Sequence, residues 1–75
     1  MATISVWQDK IILKTNEDIP ESLMKYVKFN EKMNAHLLFF GAQNLKRIYQ
    51  AYGKIPVTRG QERIDALKIR YSKFK

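Results

Sequence analysis

Residues 3–14 read TISVWQDKIILK, and the pattern in this stretch decides the fold of the chain. Apolar residues recur with a period of two on both sides of a central polar pair, at Ile4, Val6, Ile11 and Leu13. Because this period points successive side chains to opposite faces of a strand, two such runs joined by a short polar turn indicate a β-hairpin. We therefore predict strands at 3–7 and 10–14, with Trp7 beside the turn.

The segment after the hairpin predicts a short first helix over about 19–27. Asp18 can accept hydrogen bonds from the first free N–H groups, Glu21 follows three residues later as in a capping box, and Pro20 suits the first turn. Four apolar residues then share one helical face: Ile19, Leu23, Met24 and Val27.

A strand and a second helix follow. The run HLLFF at residues 36–40 is rich in aromatics and too short for a helix, so we predict a buried strand that ends before Gly41. A short strand beginning at Phe29 could pair back onto it. A second helix over about 42–52 is predicted from apolar residues at the spacing of one helical face: Leu45, Ile48, Tyr49 and Tyr52. Gly53 suits a left-handed C-cap of that helix.

A third helix is predicted from about residue 59 to the end of the chain. Thr58 and Gln61 repeat the capping-box pattern. A single apolar stripe follows them: Ile64, Leu67, Tyr71 and Phe74. Ile69 lies away from this stripe, on the face expected to be wet, where it could contact a partner.

These elements predict an α+β fold, a small antiparallel sheet packed against two or three helices in the order β-β-α-(β)-β-α-α. The 75 residues allow one domain over 1–75. The chain has no cysteine, which excludes a disulfide framework and a thiolate metal site. No apolar run approaches the roughly 18 residues of a membrane span. The first residues lack a signal-peptide pattern, so we expect a cytoplasmic protein without a membrane partner.

Positive charge is concentrated at one end of the chain. Residues 1–45 contain five Lys/Arg and five Asp/Glu, whereas residues 46–75 contain nine Lys/Arg and two Asp/Glu, so the net charge of +7 belongs to the second segment. A field of one sign attracts polyanions, and nucleic acid is the commonest of these. The alternative is a soluble basic surface without a polyanion partner.

The sequence offers little catalytic chemistry. The single histidine, His36, begins an apolar strand, where a structural imidazole is expected. The carboxylates are scattered over turns and caps, and the three glycines mark element boundaries rather than a phosphate cradle. We expect no enzyme activity, no cofactor and no metal site from this segment.

Binding residues are predicted mainly on the last two helices. If these helices pack side by side, their cations could form a basic strip that contacts phosphates: Lys46, Arg47, Lys54, Arg59, Arg63, Arg70 and Lys73. Lys28 could contribute from the turn before the buried strand. Trp7 and Phe29 are candidates for stacking on an unpaired base, although packing at the edge of the core is the alternative for Trp7.

Three short motifs give the middle of the chain a family resemblance: Lys28-Phe29-Asn30, His36-Leu37-Leu38-Phe39 and Gln43-Asn44-Leu45. In this order, within about residues 4–53, they resemble the HARP-type accessory domain appended to DNA-remodelling and annealing helicases, with relatives in bacterial and phage helicases. Phe29 and His36 stand where that family has tryptophan. The resemblance implies a non-catalytic module that binds branched or forked DNA and orients a helicase motor, with the third helix as the connection to that motor.

We therefore expect a DNA-binding accessory domain, with forked or single-stranded DNA favoured over RNA. A second interpretation is a small phage or bacterial protein that docks on an acidic surface of a host enzyme, anchored by Ile69 with Tyr71 or Phe74. A third interpretation is an RNA- or ribosome-associated protein.

Overall fold

The computed structural model describes residues 2–72, with side chains described as far as Arg70. In chain order its elements are β1 (Thr3–Trp7), β2 (Lys10–Lys14), α1 (Glu21–Met24), β3 (Lys28–Asn30), β4 (Ala35–Phe39), α2 (Ala42–Tyr52), β5 (Val57–Arg59) and α3 (Gln61–Ser72). The α+β class and the order of the predicted elements are confirmed. The unpredicted strand β5 lies between the last two helices and pairs parallel with β1, so the predicted antiparallel sheet is a mixed one.

The five strands form one mixed sheet in the order β3-β4-β2-β1-β5. The predicted hairpin is present with its predicted bounds, and its register pairs Ile4 with Leu13 and Val6 with Ile11. Both β2 and β3 pair antiparallel with β4. The fifth strand runs parallel to β1 at the far edge, so α2 and its flanking loops carry the chain from β4 past β2 and β1.

The helices cover one face of the sheet and bury a single core. Alternate residues of the inner strands meet apolar residues of all three helices there: Ile4, Val6, Ile11, Leu13 and Leu38 from the sheet, and Leu23, Leu45, Ile48, Ile64 and Leu67 from the helices. α2 packs against α3, and α3 packs against β1. Ile12 and Ala35 are also buried, but their register places them on the opposite face, away from this core.

The first helix is shorter than predicted. It spans only Glu21–Met24, whereas the apolar pattern predicted residues 19–27. Its N-cap is Pro20, without a side-chain cap hydrogen bond, so the predicted capping role of Asp18 is wrong. The chain after Met24 does not continue the helix, because Lys28–Asn30 pairs with β4 at the edge of the sheet. The backbone groups of this segment form strand-to-strand hydrogen bonds instead of helical ones.

The start of the third helix is also corrected. α3 begins at Gln61 because residues 57–59 form β5. The Thr58 hydroxyl donates to the carbonyl oxygen of Ile4 at 3.4 Å, so the predicted capping box of Thr58 and Gln61 is wrong. Gly60 makes the turn between strand and helix with a φ of 83°. A strand of three residues is too short to display a period of two, which is why the sequence pattern did not reveal it.

The remaining boundaries agree closely with the predictions. α2 has its predicted bounds, and Gly53 ends it with a φ of 75° while its N–H donates to the carbonyl oxygen of Tyr49 at 2.8 Å. The strand predicted at 36–40 lies one residue earlier, and the short strand expected around Phe29 is β3. The predicted stripe positions Tyr71 and Phe74 lie outside the described side chains.

Candidate nucleic-acid interface

The sheet face opposite the helices presents aromatic and basic side chains in cross-strand rows. In one row Trp7 pairs with Lys10, and Lys10 pairs with Phe39. Directly opposed residues of neighbouring strands point to the same face. The next row crosses four strands through Ser5, Ile12, Leu37 and Lys28. Arg59 pairs with Ser5 beyond a shift in the register of β1 and β5, and it lines the same surface depression as Ser5 and Trp7, which places it at the edge of this face. We name this surface the open face and define it by Ser5, Trp7, Lys10, Ile12, Lys14, Lys28, Leu37, Phe39 and Arg59.

A shallow depression of about 420 Å³ lies beside Trp7 on the open face. Ile12 and Met33 provide apolar surface within it, and Lys14 and Arg59 provide positive charge. Ile12 is only 5% exposed, so most of the apolar surface that a ligand could reach here belongs to Trp7 and Met33. A flat apolar group with an attached anion could contact both kinds of surface.

A second depression, of about 230 Å³, lies around Phe39 at the other end of the same row. Tyr26 and three lysines also line it: Lys10, Lys25 and Lys28. The Nζ atom of Lys10 lies 4.4 Å from the centroid of the Phe39 ring, and that of Lys25 lies 5.4 Å from the centroid of Tyr26. These cation–π contacts keep ammonium groups beside exposed rings.

Asn44 connects this end of the sheet to the helix layer. Its Nδ2 donates to the carbonyl oxygen of Phe39 at 2.9 Å, and its Oδ1 accepts a hydrogen bond from Arg47 at 2.8 Å. The Arg47 guanidinium carbon lies 3.9 Å from the centroid of the Tyr26 ring. One edge and one face of this guanidinium are therefore already in contact with the protein.

The other predicted cations of the helix layer lie on α2, on α3 and in the loop after α2. Arg63 is exposed on α3, with its guanidinium carbon 4.4 Å from the centroid of the Phe40 ring. Arg70 is exposed further along α3, and Lys54 is exposed in the loop after α2. Lys46 is half-buried on α2 and makes further contacts of its own.

The structure divides the predicted site residues between the two faces of the sheet. Trp7 and Lys28 share the open face by strand register, and Arg59 reaches it by lining the depression beside Trp7. Phe29 lies on the helix side, because it alternates with Lys28 along β3. Arg59 ends β5 instead of lying on the third helix, so the predicted strip of helical cations does not include it. Lys73 lies outside the described residues.

The open face is positive because its cations have few carboxylates near them. None of the five strands described within residues 2–72 contains Asp or Glu. Lys10 pairs with Asp9 of the hairpin turn at 3.2 Å. Within residues 2–72 no ion pair joins a carboxylate to the other cations of this face: Lys14, Lys28 and Arg59.

Sequence analysis missed two central residues of the open face, Lys10 and Phe39. Phe39 belongs to an uninterrupted apolar run that indicated a buried strand, yet it is 70% exposed. Alternation along the strand could have revealed its exposure. Leu38 points into the core, so Leu37 and Phe39, one residue to either side, point to the opposite face. Lys10 is two residues before Ile12 on β2 and pairs with Phe39, so its side chain lies on the same face.

Tyr52 ends α2 on the helix side of the sheet, away from the open face. Burial, followed by the negative charge of Glu17, raises the pKa of Tyr52 above its ordinary value of 10.0. The Tyr52 hydroxyl is buried and has no hydrogen-bond partner within residues 2–72. In that part of the chain no three potential metal ligands come together, and no helix is long and apolar enough to span a membrane.

No protein-family model, curated protein or solved structure matches this chain. The resemblance to HARP-type domains therefore stays a prediction from the sequence motifs.

Proposed function

We propose that this protein is a non-catalytic nucleic-acid-binding module that contacts mainly the phosphate backbone of DNA. The observation that carries the proposal is the set of exposed cations without a carboxylate partner in residues 2–72: Lys28, Lys54, Arg59, Arg63 and Arg70. Each phosphate that such a cation neutralises releases counterions, which supplies affinity independent of base sequence.

The arginines suit phosphate contacts in particular. Arg63 rests its guanidinium against the Phe40 ring, and a stacked guanidinium keeps its N–H edge available for bidentate hydrogen bonds. Lys46 and Arg47 add positive charge on α2, although Arg47 already donates to Asn44. Lys46, Arg47 and Arg63 lie on the helices, whereas Lys28 and Arg59 lie on the two outermost strands of the open face.

We further propose that the module serves as an accessory domain of a helicase. The support is the order of the motifs that resemble HARP-type domains, which fall on β3, on β4 and at the start of α2. Asn44, in the last of these motifs, tethers the end of β4 to α2. A module with this role needs no active site of its own, because the motor supplies the chemistry.

Fluorescence anisotropy with forked, single-stranded and duplex DNA at two salt concentrations tests DNA binding. We expect binding that weakens as salt rises. The triple variant Lys54→Gln, Arg63→Gln, Arg70→Gln should lower the salt slope on duplex DNA by about 2.7, at roughly 0.9 for each lost phosphate contact. Lys68→Gln is the matched control, because Lys68 lies 4.0 Å from the Asp65 carboxylate. Absence of binding at low salt, or binding indifferent to salt, would refute the proposal.

A protein partner with an acidic surface is the second candidate. Ile69 is 62% exposed on α3 and stands between two basic residues, which favours a site that combines an apolar anchor with positive charge. A pull-down after nuclease treatment separates the two functions. A partner retained without nucleic acid, and lost on Ile69→Asp, would favour protein docking, and a captured helicase would favour the accessory role.

A further inference from the structure

Two aromatic side chains of the open face are far more exposed than a core role would require. Trp7 is 50% exposed and Phe39 is 70% exposed, and both point away from the core beneath the helices. An exposed aromatic pair forfeits the large burial that such side chains usually provide. Exposed apolar surface rimmed by polar groups marks an interaction site.

The spacing of the two rings distinguishes between nucleic-acid structures. Trp7 and Phe39 both pair with Lys10, so they stand two strands apart, at about 10 Å for a strand spacing of about 4.8 Å. Successive bases in a duplex rise by only about 3.4 Å. A base can stack on a side-chain ring only when its face is not already covered by a neighbouring base, so a strand that uses both rings needs bases that are unpaired and spread apart.

The width of the sheet also favours a single strand over a duplex as the ligand. Five strands span about 19 Å between the outermost strand axes, since each step is about 4.8 Å. The major groove of B-DNA is about 12 Å wide and admits a helix or a two-stranded ribbon. The open face is too broad to enter that groove, whereas a flexible single strand can lie across it.

Cations are distributed along the same path as the rings. Lys14 and Arg59 lie at the depression beside Trp7, and Lys25 and Lys28 lie at the depression beside Phe39. Lys10 stands between the two rings and has its ammonium against Phe39. The arrangement alternates flat apolar surfaces with positive charges, which matches the alternation of base and phosphate along a nucleic-acid strand.

We propose that the open face binds a single strand of nucleic acid across the sheet, with one base stacked on Trp7 and another on the face of Phe39 that Lys10 does not cover. Lys10 holds a phosphate between the two bases, and the cations at both ends hold the flanking phosphates. This inference rests on the proposed nucleic-acid function and deepens it by naming the ligand class and the surface. The Asp9 carboxylate competes with the phosphate for Lys10.

The test compares a fluorescently labelled oligothymidylate, an oligouridylate and a duplex DNA of the same length. The wild-type chain should bind the two single strands more tightly than the duplex. Trp7→Ala and Phe39→Ala should each weaken single-strand binding by about 5- to 140-fold. The salt slope should not change, because no cation is removed. Both side chains are exposed, and circular dichroism verifies that the variants remain folded.

Three further variants make the result specific to the open face. Arg59→Gln with Lys28→Gln should reduce the single-strand salt slope by about 1.4, at roughly 0.7 for each contact. Asp9→Asn should tighten binding a few-fold by releasing Lys10. Met24→Ala, an exposed apolar residue of α1, is the control that should leave affinity unchanged.

The outcomes separate this inference from the broader proposal. A wild-type chain that binds no nucleic acid would overturn both. Salt-dependent binding that persists unchanged in the Trp7→Ala, Phe39→Ala double variant would overturn only the open-face inference. A preference for duplex DNA would also overturn it, as would an equal loss on Phe29→Ala, since Phe29 lies on the opposite face of the sheet.

Discussion

The turn at Gly60 offers a sharp test of the packing between β1 and α3. Gly60 has a φ of 83°, in the left-handed region that L-residues rarely adopt. A Cβ atom at this position would lie 2.7 Å from the Cβ of Val6 and 3.1 Å from its Cγ2. Val6 is 4% exposed and sits on a strand paired on both sides, so it cannot move away freely. We therefore predict that Gly60→Ala is strongly destabilising.

Two costs combine in this substitution. Left-handed backbone strain costs about 1–2 kcal/mol for a residue with a Cβ, and overpacking a close contact costs about 1–3 kcal/mol more. The sum, about 2–5 kcal/mol, compares with a total stability of about 4–11 kcal/mol for a domain of this size. The melting temperature should fall by roughly 8–40 °C, since 1 kcal/mol corresponds to about 4–8 °C in small domains.

The other two glycines provide matched controls for the two costs. Gly53 has a φ of 75°, but a Cβ there would meet nothing within 4 Å, so Gly53→Ala should show the strain cost alone. Gly41 has an extended φ of −177° and equally open space, so Gly41→Ala should change stability by less than about 0.5 kcal/mol. Urea unfolding followed by circular dichroism gives the three values.

The ranking of these variants decides whether the reasoning holds. If Gly60→Ala were no worse than Gly53→Ala, the close approach of Gly60 to Val6 would be refuted. If both were as mild as Gly41→Ala, the left-handed backbone assigned to the two positions would be wrong.

Three further predictions concern single side chains. Tyr52→Phe should raise the free energy of unfolding by about 1 kcal/mol, because it removes a buried hydroxyl without a hydrogen-bond partner in residues 2–72. Because the folded pKa of Tyr52 lies above the ordinary 10.0, the unfolded chain loses this proton first, so the free energy of unfolding of the wild type falls as pH rises from about 10 through the folded pKa. Urea titrations should show a steeper alkaline fall for the wild type than for Tyr52→Phe, and equal slopes would contradict this. Asn44→Ala should cost about 1–2 kcal/mol in urea unfolding through two lost hydrogen bonds, whereas Gln43→Ala, exposed beside it, should cost less than about 0.5 kcal/mol, and similar values for both would argue against the tether. Leu23→Ala should cost about 2–4 kcal/mol because this fully buried residue anchors α1, while Met24→Ala should be nearly neutral, and thermal melts that rank them in reverse would disprove the packing of α1.

Much of the fold follows from local patterns in the sequence. The period of two in residues 3–14 predicted the hairpin with its bounds, and the helical spacing up to Gly53 predicted α2. These predictions are confirmed because both patterns are long enough to show their period and end at residues with a clear local preference. The first helix was overextended, since its apolar positions did not reveal that β3 would pair with β4 immediately afterwards.

The candidate site was less accessible to sequence reasoning. Trp7, Lys28 and Arg59 were predicted for three different surroundings, a turn edge, a turn and a helix, and they share one face of the sheet only because strand pairing brings them together. Phe29 was predicted as an equivalent of Trp7 but lies on the other face. Strand pairing joins residues as far apart in the sequence as Ser5 and Arg59. A local period in the sequence shows which face of its own strand a residue occupies, but not which strand lies beside it.

The sequence alone determined the α+β class, the hairpin, the second helix and the surplus of positive charge, because each depends on neighbouring residues or on composition. The tertiary structure alone decided which cations and aromatics lie together. That choice depends on strand order and register, where a shift of one residue would turn every side chain of a strand to the opposite face.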